Sequence, residues 1–175
     1  MAVEAKTTNQ EPAPPETASD APLKLEEFLP YQLNVAASLV SNALSRLYAE
    51  RYRIGVPEWR VLVTLGQFGV MTGKAVGAHS HMHKTKVSRA VAHLEKRKLV
   101  QRRANKSDLR ESLLSLTPEG RAIYNELAPD ARDFANRLLD AIAPGDRPVF
   151  ARALDQLTKR CMTLAAPAED DEDDH

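Results

Sequence analysis

The sequence predicts a mainly α-helical fold that carries one small β-hairpin. Three observations predict it. Apolar residues recur at helical spacing through most of the chain. Strong helix starts and stops punctuate those stretches. Between Thr72 and Leu116 the chain reads as helix, turn, basic helix and basic hairpin.

Each element has its own warrant. A first long helix is expected from Pro30 to about Arg53, with Leu33, Ala36, Ala37, Val40, Leu44, Leu47 and Tyr48 on one stripe and Gly55 ending it. Val56-Pro57-Glu58-Trp59 opens a second helix, because proline suits a first turn. Val61, Leu62 and Leu65 are its core face, Gly66 to Gly69 breaks it, and Val70-Met71 reads as a very short strand. Thr72 is an N-cap for a third helix through about His79. Ser80 to His83 forms a turn, and a basic helix follows in which Val87, Val91 and Leu94 face inward.

Leu99 to Arg103 and Ser112 to Leu116 read as paired strands joined by the polar loop Asn105 to Arg110. Thr117-Pro118-Glu119 starts another helix: threonine as cap, proline next, an acid in the first turn. That helix is expected to reach about Ala143, with Leu127, Ala131, Phe134, Leu138 and Leu139 on its apolar side and an irregularity at Pro129. Pro144-Gly145 breaks the pattern. A last helix spans about Arg147 to Leu164 on Val149, Phe150, Leu154, Leu157 and Cys161.

The ends differ from the middle. Residues 1–21 are rich in Pro, Glu, Ala and Thr without any period, and are expected to be disordered. Residues 168–175 form an acidic tail that either solubilises the chain or competes for a basic surface. One folded domain is expected over residues 22–167. The formal net charge of zero hides this arrangement. Removing both ends leaves 23 Lys and Arg against 14 Asp and Glu, a net of +9. Between Lys84 and Arg110 stand ten Lys or Arg against Glu95 and Asp108. Such an excess is what a phosphate backbone attracts, and short polar and cationic side chains on the outer face of a helix reach base edges. Double-stranded DNA is therefore the expected partner.

Other classes lose ground. No apolar run approaches the roughly 20 residues that span a bilayer, so no membrane partner is expected. The chain lacks the cationic and apolar regions of a secretory signal at its start, so a cytoplasmic location is expected. The one cysteine, Cys161, excludes an intrachain disulfide and a Cys-rich zinc site. It reads as a buried, inert thiol rather than a peroxide sensor. No glycine-rich phosphate loop, nucleophile motif or spaced carboxylate pair occurs, so neither enzyme activity nor a cofactor is expected.

Three strings in order resemble the MarR family of winged helix-turn-helix regulators over roughly residues 28–164. They are Val56-Pro57-Glu58-Trp59-Arg60-Val61-Leu62, the basic-helix string Lys84-Thr85-Lys86-Val87-Ser88-Arg89-Ala90-Val91, and Asp108-Leu109-Arg110 followed by Leu116-Thr117-Pro118-Glu119-Gly120. The resemblance implies N- and C-terminal dimerisation helices, a homodimer, and two recognition helices entering successive major grooves of a pseudo-palindromic operator. The apolar surface of the terminal helices, more than a small lobe can cover, agrees.

On this template Lys84, Thr85, Lys86, Ser88 and Arg89 occupy the first turns of the recognition helix. Arg89 is the candidate for a bidentate guanine contact, Thr85 and Ser88 for bases or phosphates, and Lys84 and Lys86 for backbone positioning. Arg110 resembles the family's minor-groove arginine, Asp108 would orient a guanidinium, and Arg103 and Lys106 would add phosphate contacts. One departure stands out. His83 occupies a position where many members place an Asp or similar cap, and histidine caps poorly.

Phe28-Leu29-Pro30-Tyr31-Gln32-Leu33-Asn34 and Ala49-Glu50-Arg51-Tyr52 look most like a branch controlling aromatic-acid (hydroxycinnamate or benzoate) catabolism. That resemblance implies a repressor released by a small aromatic acid or aromatic acyl-CoA effector. Asn34, Ser38, Trp59 and Arg60 are the candidate liners, with Trp59 stacking on a ring and Arg60 meeting an anion, unless Trp59 is simply core. Two alternatives stay open: a metal-responsive regulator using His79, His81 and His83, and a dimeric interaction module that binds no DNA. His93 is placed on the basic helix facing solvent.

Overall fold

In the computed structural model, residues 22–106, 108 and 110–165 are described. Both terminal segments expected to be irregular, residues 1–21 and 168–175, therefore lie outside the described residues. The chain divides into two compact units, one ending at Leu39 and one beginning at Val40. The first holds a short 3-10 turn, Leu25–Glu27, and the opening of helix α1 (Leu29–Ser45). Ser38 donates its hydroxyl to the Asn34 carbonyl at 2.8 Å. Leu23, Leu25, Phe28, Leu29, Tyr31 and Leu33 are all exposed.

In the second unit the expected single helix to Arg53 is interrupted. α1 ends at Ser45, and α2 (Ala49–Tyr52) follows a tight link. Arg46, Leu47 and Tyr48 donate to the carbonyls of Ala43, Leu44 and Ser45, which is the i to i−3 pattern of an overwound turn. The break turns Tyr48 inward: it is 1% exposed and stacks on Trp59 with ring centroids 5.0 Å apart. Arg53, in the left-handed region (φ 49°), stops α2 where the sequence had assigned the stop to Gly55.

Gly55 instead caps α3 (Val56–Phe68), its N–H donating to the Glu58 carboxylate at 3.0 Å. Trp59, Val61, Leu62 and Leu65 are buried. Gly66 does not break α3. It lies inside the helix, where a Cβ would collide with the Tyr124 ring, and so it lets α6 approach. Strand β1 (Met71–Thr72) then leads into α4 (Gly73–Ser80), and the Thr72 hydroxyl caps it by accepting from Ala75 N–H at 3.2 Å, as expected. α5 (Lys84–Lys96) buries Val87, Ala90, Val91 and Leu94.

β2 (Val100–Ala104) and β3 (Ser112–Leu116) pair antiparallel, with Arg102 opposite Leu114. β1 adds to the far side of β3, giving the order β1-β3-β2. α6 (Pro118–Leu139) runs through Pro129 without a break, so one missing i to i−4 bond is tolerated, and it ends four residues short of Ala143. Thr117 caps it, accepting from Gly120 N–H at 3.0 Å and donating to the Lys98 carbonyl at 2.6 Å. α7 (Arg147–Leu164) has no buried residue. Cys161, expected to be buried, is exposed on it in the single chain. The fold is thus mainly helical with a three-stranded antiparallel sheet, and no described helix is long and apolar enough to cross a membrane.

Two outcomes follow from the packing. Gly120 sits so close to the Leu99 carbonyl that a Cβ would overlap backbone, whereas nothing lies within 4 Å of a Cβ at Gly145. Gly120→Ala is expected to lose about 1–3 kcal/mol in urea unfolding, and Gly145→Ala to stay within about 0.5 kcal/mol. Trp59 is 7% exposed and stacked, so Trp59→Ala should cost about 3–5 kcal/mol by the same measurement. A change below about 1 kcal/mol would remove Trp59 from the core and return it to a ligand surface.

Candidate nucleic-acid interface

The interface is built by α4, the turn after it, α5 and the β2–β3 hairpin. Only His81, Met82 and His83 separate α4 from α5. His81 takes the left-handed conformation (φ 51°), and Met82 N–H returns to the Gly77 carbonyl at 3.0 Å. Met82 itself is buried, which pins the turn. His83 does cap α5: its Nδ1 accepts from Thr85 N–H at 3.4 Å, a long bond that replaces the carboxylate expected there.

α5 is sharply two-sided. Its buried stripe fixes its rotation, and Lys84, Thr85, Lys86, Ser88 and Arg89 all lie on the exposed remainder. Among the described residues, no acidic side chain pairs with Lys84, Lys86 or Arg89. These side chains therefore keep their charge and donors available for a ligand outside the chain.

The second half of α5 is different. Glu95 takes both Nε and Nη2 of Arg102, at 3.1 and 3.0 Å. Those hydrogen bonds hold the Arg102 guanidinium above its ordinary pKa. His93 is exposed, as the sequence placed it, and its Nδ1 also lies 3.1 Å from a Glu58 oxygen at the start of α3. Arg97, just past the helix end, donates to the Arg53 carbonyl at 3.1 Å. None of these three contacts is signalled by spacing in the sequence, because each joins segments whose approach depends on the fold.

In the hairpin, Arg103 is exposed and, by strand alternation, lies on the face opposite Arg102. Lys106 and Arg110 are exposed at the loop. Asp108 accepts Arg110 backbone N–H at 2.9 Å, so its observed role is to shape the loop. Between α4, α5 and β3 lies a cleft of about 820 Å³. Lys74, Lys84, Ser88, Arg102 and Arg110 line it, with Val87 and Leu114 on its floor. Lys74 was not singled out by the sequence, since it stands outside the basic run.

The candidate effector residues fall in different places. Asn34 and Ser38 belong to the first unit, and the Ser38 hydroxyl is engaged by the Asn34 backbone. Trp59 is core. Arg60 is exposed, reaching toward the Ser80 carbonyl at 3.5 Å. Burial pushes the Tyr48 phenol up in pKa, against the opposing pull of Arg60. Of the histidines suggested for a metal, His79 lies against the Phe68 ring with centroids 4.3 Å apart, His83 caps α5, and His81 is exposed in the turn between the two helices. Among the described residues, no group of three or more His, Cys, Asp or Glu is placed to hold a metal.

Comparison with known proteins agrees with this geometry. The sequence model of the MarR family matches residues 54–112. The uncharacterized HTH-type transcriptional regulator YwoH of Bacillus subtilis is 29% identical over 127 residues, covering 73% of this chain and 91% of YwoH. A probable transcriptional regulator from Pseudomonas aeruginosa superposes with a TM-score of 0.65 at 26% identity, covering 77% of this chain and 99% of that one. BpsR of Bordetella bronchiseptica, whose DNA binding is regulated by 6-hydroxynicotinic acid, superposes with a TM-score of 0.71 at 21% identity, covering 79% and 98%. The chain has a winged helix-turn-helix fold, and its residues 54–112 are similar to the MarR family.

Proposed function

We propose that this protein is a homodimeric repressor that binds a pseudo-palindromic DNA operator and is released by a small aromatic acid, free or as its coenzyme A thioester. The observation that carries the DNA reading is the first half of α5. Five polar or cationic side chains stand exposed, and no acid among the described residues neutralises the three cations. Arg89 reads guanine, Thr85 and Ser88 touch bases or phosphates, and Lys84 and Lys86 position the backbone. Arg110 enters the minor groove, with Arg103 and Lys106 on phosphates and Asp108 holding the loop that presents them.

The dimer is supported by each unit separately. α7 exposes Val149, Phe150, Leu154, Leu157 and Leu164, and the first unit exposes Phe28, Leu29 and Leu33. Monomeric proteins rarely leave such stripes in water. Effector class rests on likeness to BpsR, which answers to a hydroxylated aromatic acid, and on the exposed Arg60, a guanidinium suited to a carboxylate. Asn34 and Ser38 stand as effector candidates on the sequence resemblance alone. Release is a population shift: a hundredfold loss of DNA affinity needs about 2.7 kcal/mol of preference for the non-binding state.

Mobility shifts on the DNA upstream of the protein's own coding region test the reading. Arg89→Ala is expected to erase sequence preference, whereas Lys106→Ala weakens all sequences about equally. Identical behaviour of the two variants would overturn the division between reading and positioning. Repeating the shift with aromatic acids and their thioesters should release the wild type, and Arg60→Ala should need more ligand. Leu154→Glu places a charge on the exposed face of α7 and is expected to yield monomers in sedimentation velocity. A wild type that sediments as a monomer would end the dimer.

A further inference from the structure

We infer that Arg102 is not a DNA contact but a positioning residue: with Glu95 it locks the hairpin to the recognition helix and so sets where Arg110 stands relative to Arg89. The inference rests on the DNA-binding reading above.

By composition Arg102 looks like one more phosphate ligand, since it belongs to the run of ten cations between Lys84 and Arg110. It also lines the cleft beside Lys84, Ser88 and Arg110. Yet its guanidinium is already committed. Nε and Nη2 meet the two Glu95 oxygens at 3.1 and 3.0 Å, a fork-to-fork pair that fixes both distance and rotation. A phosphate would have to displace a carboxylate of equal geometry.

The placement of the pair gives it leverage. Glu95 lies in the last turn of α5, and Arg102 lies at the middle of β2, opposite the buried Leu114. Between them the chain reverses through Lys98 in the left-handed region (φ 59°). The pair therefore ties the two arms of this reversal together on the side facing the cleft. Its side chains are 47% and 28% exposed, so it adds little to stability. Its effect is on geometry: without it the hairpin pivots on the reversal, and Arg110 leaves its register with the minor groove while the phosphate contacts persist. Arg103, one residue on and on the other strand face, has no acid partner among the described residues and is the contact that Arg102 is not.

Salt dependence separates the two roles. A lost phosphate contact lowers the slope of log K against log salt by about 1, whereas a positioning loss lowers affinity with the slope kept. The probe is a duplex that the wild type selects from a random-sequence pool. Arg103→Ala is expected to reduce the slope by about 1. Arg102→Ala and Glu95→Gln should each weaken binding about tenfold at unchanged slope, with circular dichroism melting curves close to wild type. The charge-swapped double variant Glu95→Arg with Arg102→Glu should recover binding to within about threefold.

A slope loss in Arg102→Ala, with no recovery in the swapped variant, would make Arg102 a phosphate contact and overturn the inference. Wild-type binding by all three variants would overturn it too. Failure of the wild type to select any duplex would instead remove the DNA-binding reading, and the inference with it.

Discussion

The burial of four residues on one face of α5 is the constraint on which the rest depends. Val87, Ala90, Val91 and Leu94 are all nearly inaccessible, and they pack into a core with Leu62, Leu65 and Val76 of the two preceding helices. Hydrophobic burial is non-directional, but a helix that buries one stripe must present the opposite one. The outward set Lys84, Thr85, Lys86, Ser88 and Arg89 is therefore fixed by apolar packing rather than by any polar contact. The remaining elements serve that arrangement. α3 supplies the surface on which α5 rests, the buried Met82 sets the turn before it, and β3 joins the hairpin to the lobe through Leu114.

Charge is distributed in two tiers along the same helix. The cations of its first half are exposed and have no acid partner among the described residues. Its second half is knitted into the lobe by Glu58, Glu95 and the Arg53 carbonyl. This separation answers a conflict between holding a helix and leaving its cations available. Cations that pair internally lose part of their pull on phosphate, while those left free add little to the stability of the lobe. A count of basic residues overstates the binding surface for this reason, and a net charge of zero hides it.

Packing also explains the breaks that periodicity misplaced. The stripe Leu33 to Tyr48 reads as one long helix because every apolar residue fits the 3.6 repeat. Tyr48, however, reaches its stacking partner Trp59 only if the chain overwinds at residues 46–48. Gly66 looked like a stop, yet it is a helical residue whose missing side chain admits the Tyr124 ring. Pro129 was expected to disturb α6, and the helix passes through it. At Tyr48 and at Gly66 the local pattern was outweighed by the packing of an aromatic ring.

The sequence by itself determined the helical class, the caps at Thr72 and Thr117, the inward stripe of α5 and the outward residues beside it. It also carried the hairpin pairing and the family resemblance. These features depend on neighbours within a few positions, where spacing and side-chain chemistry are written directly. Only the tertiary structure decided which cations are spent, that Trp59 belongs to the core, that His83 serves as a cap, and that Glu95 meets Arg102. Those outcomes depend on distances between segments brought together by burial, and no local pattern encodes a distance of that kind.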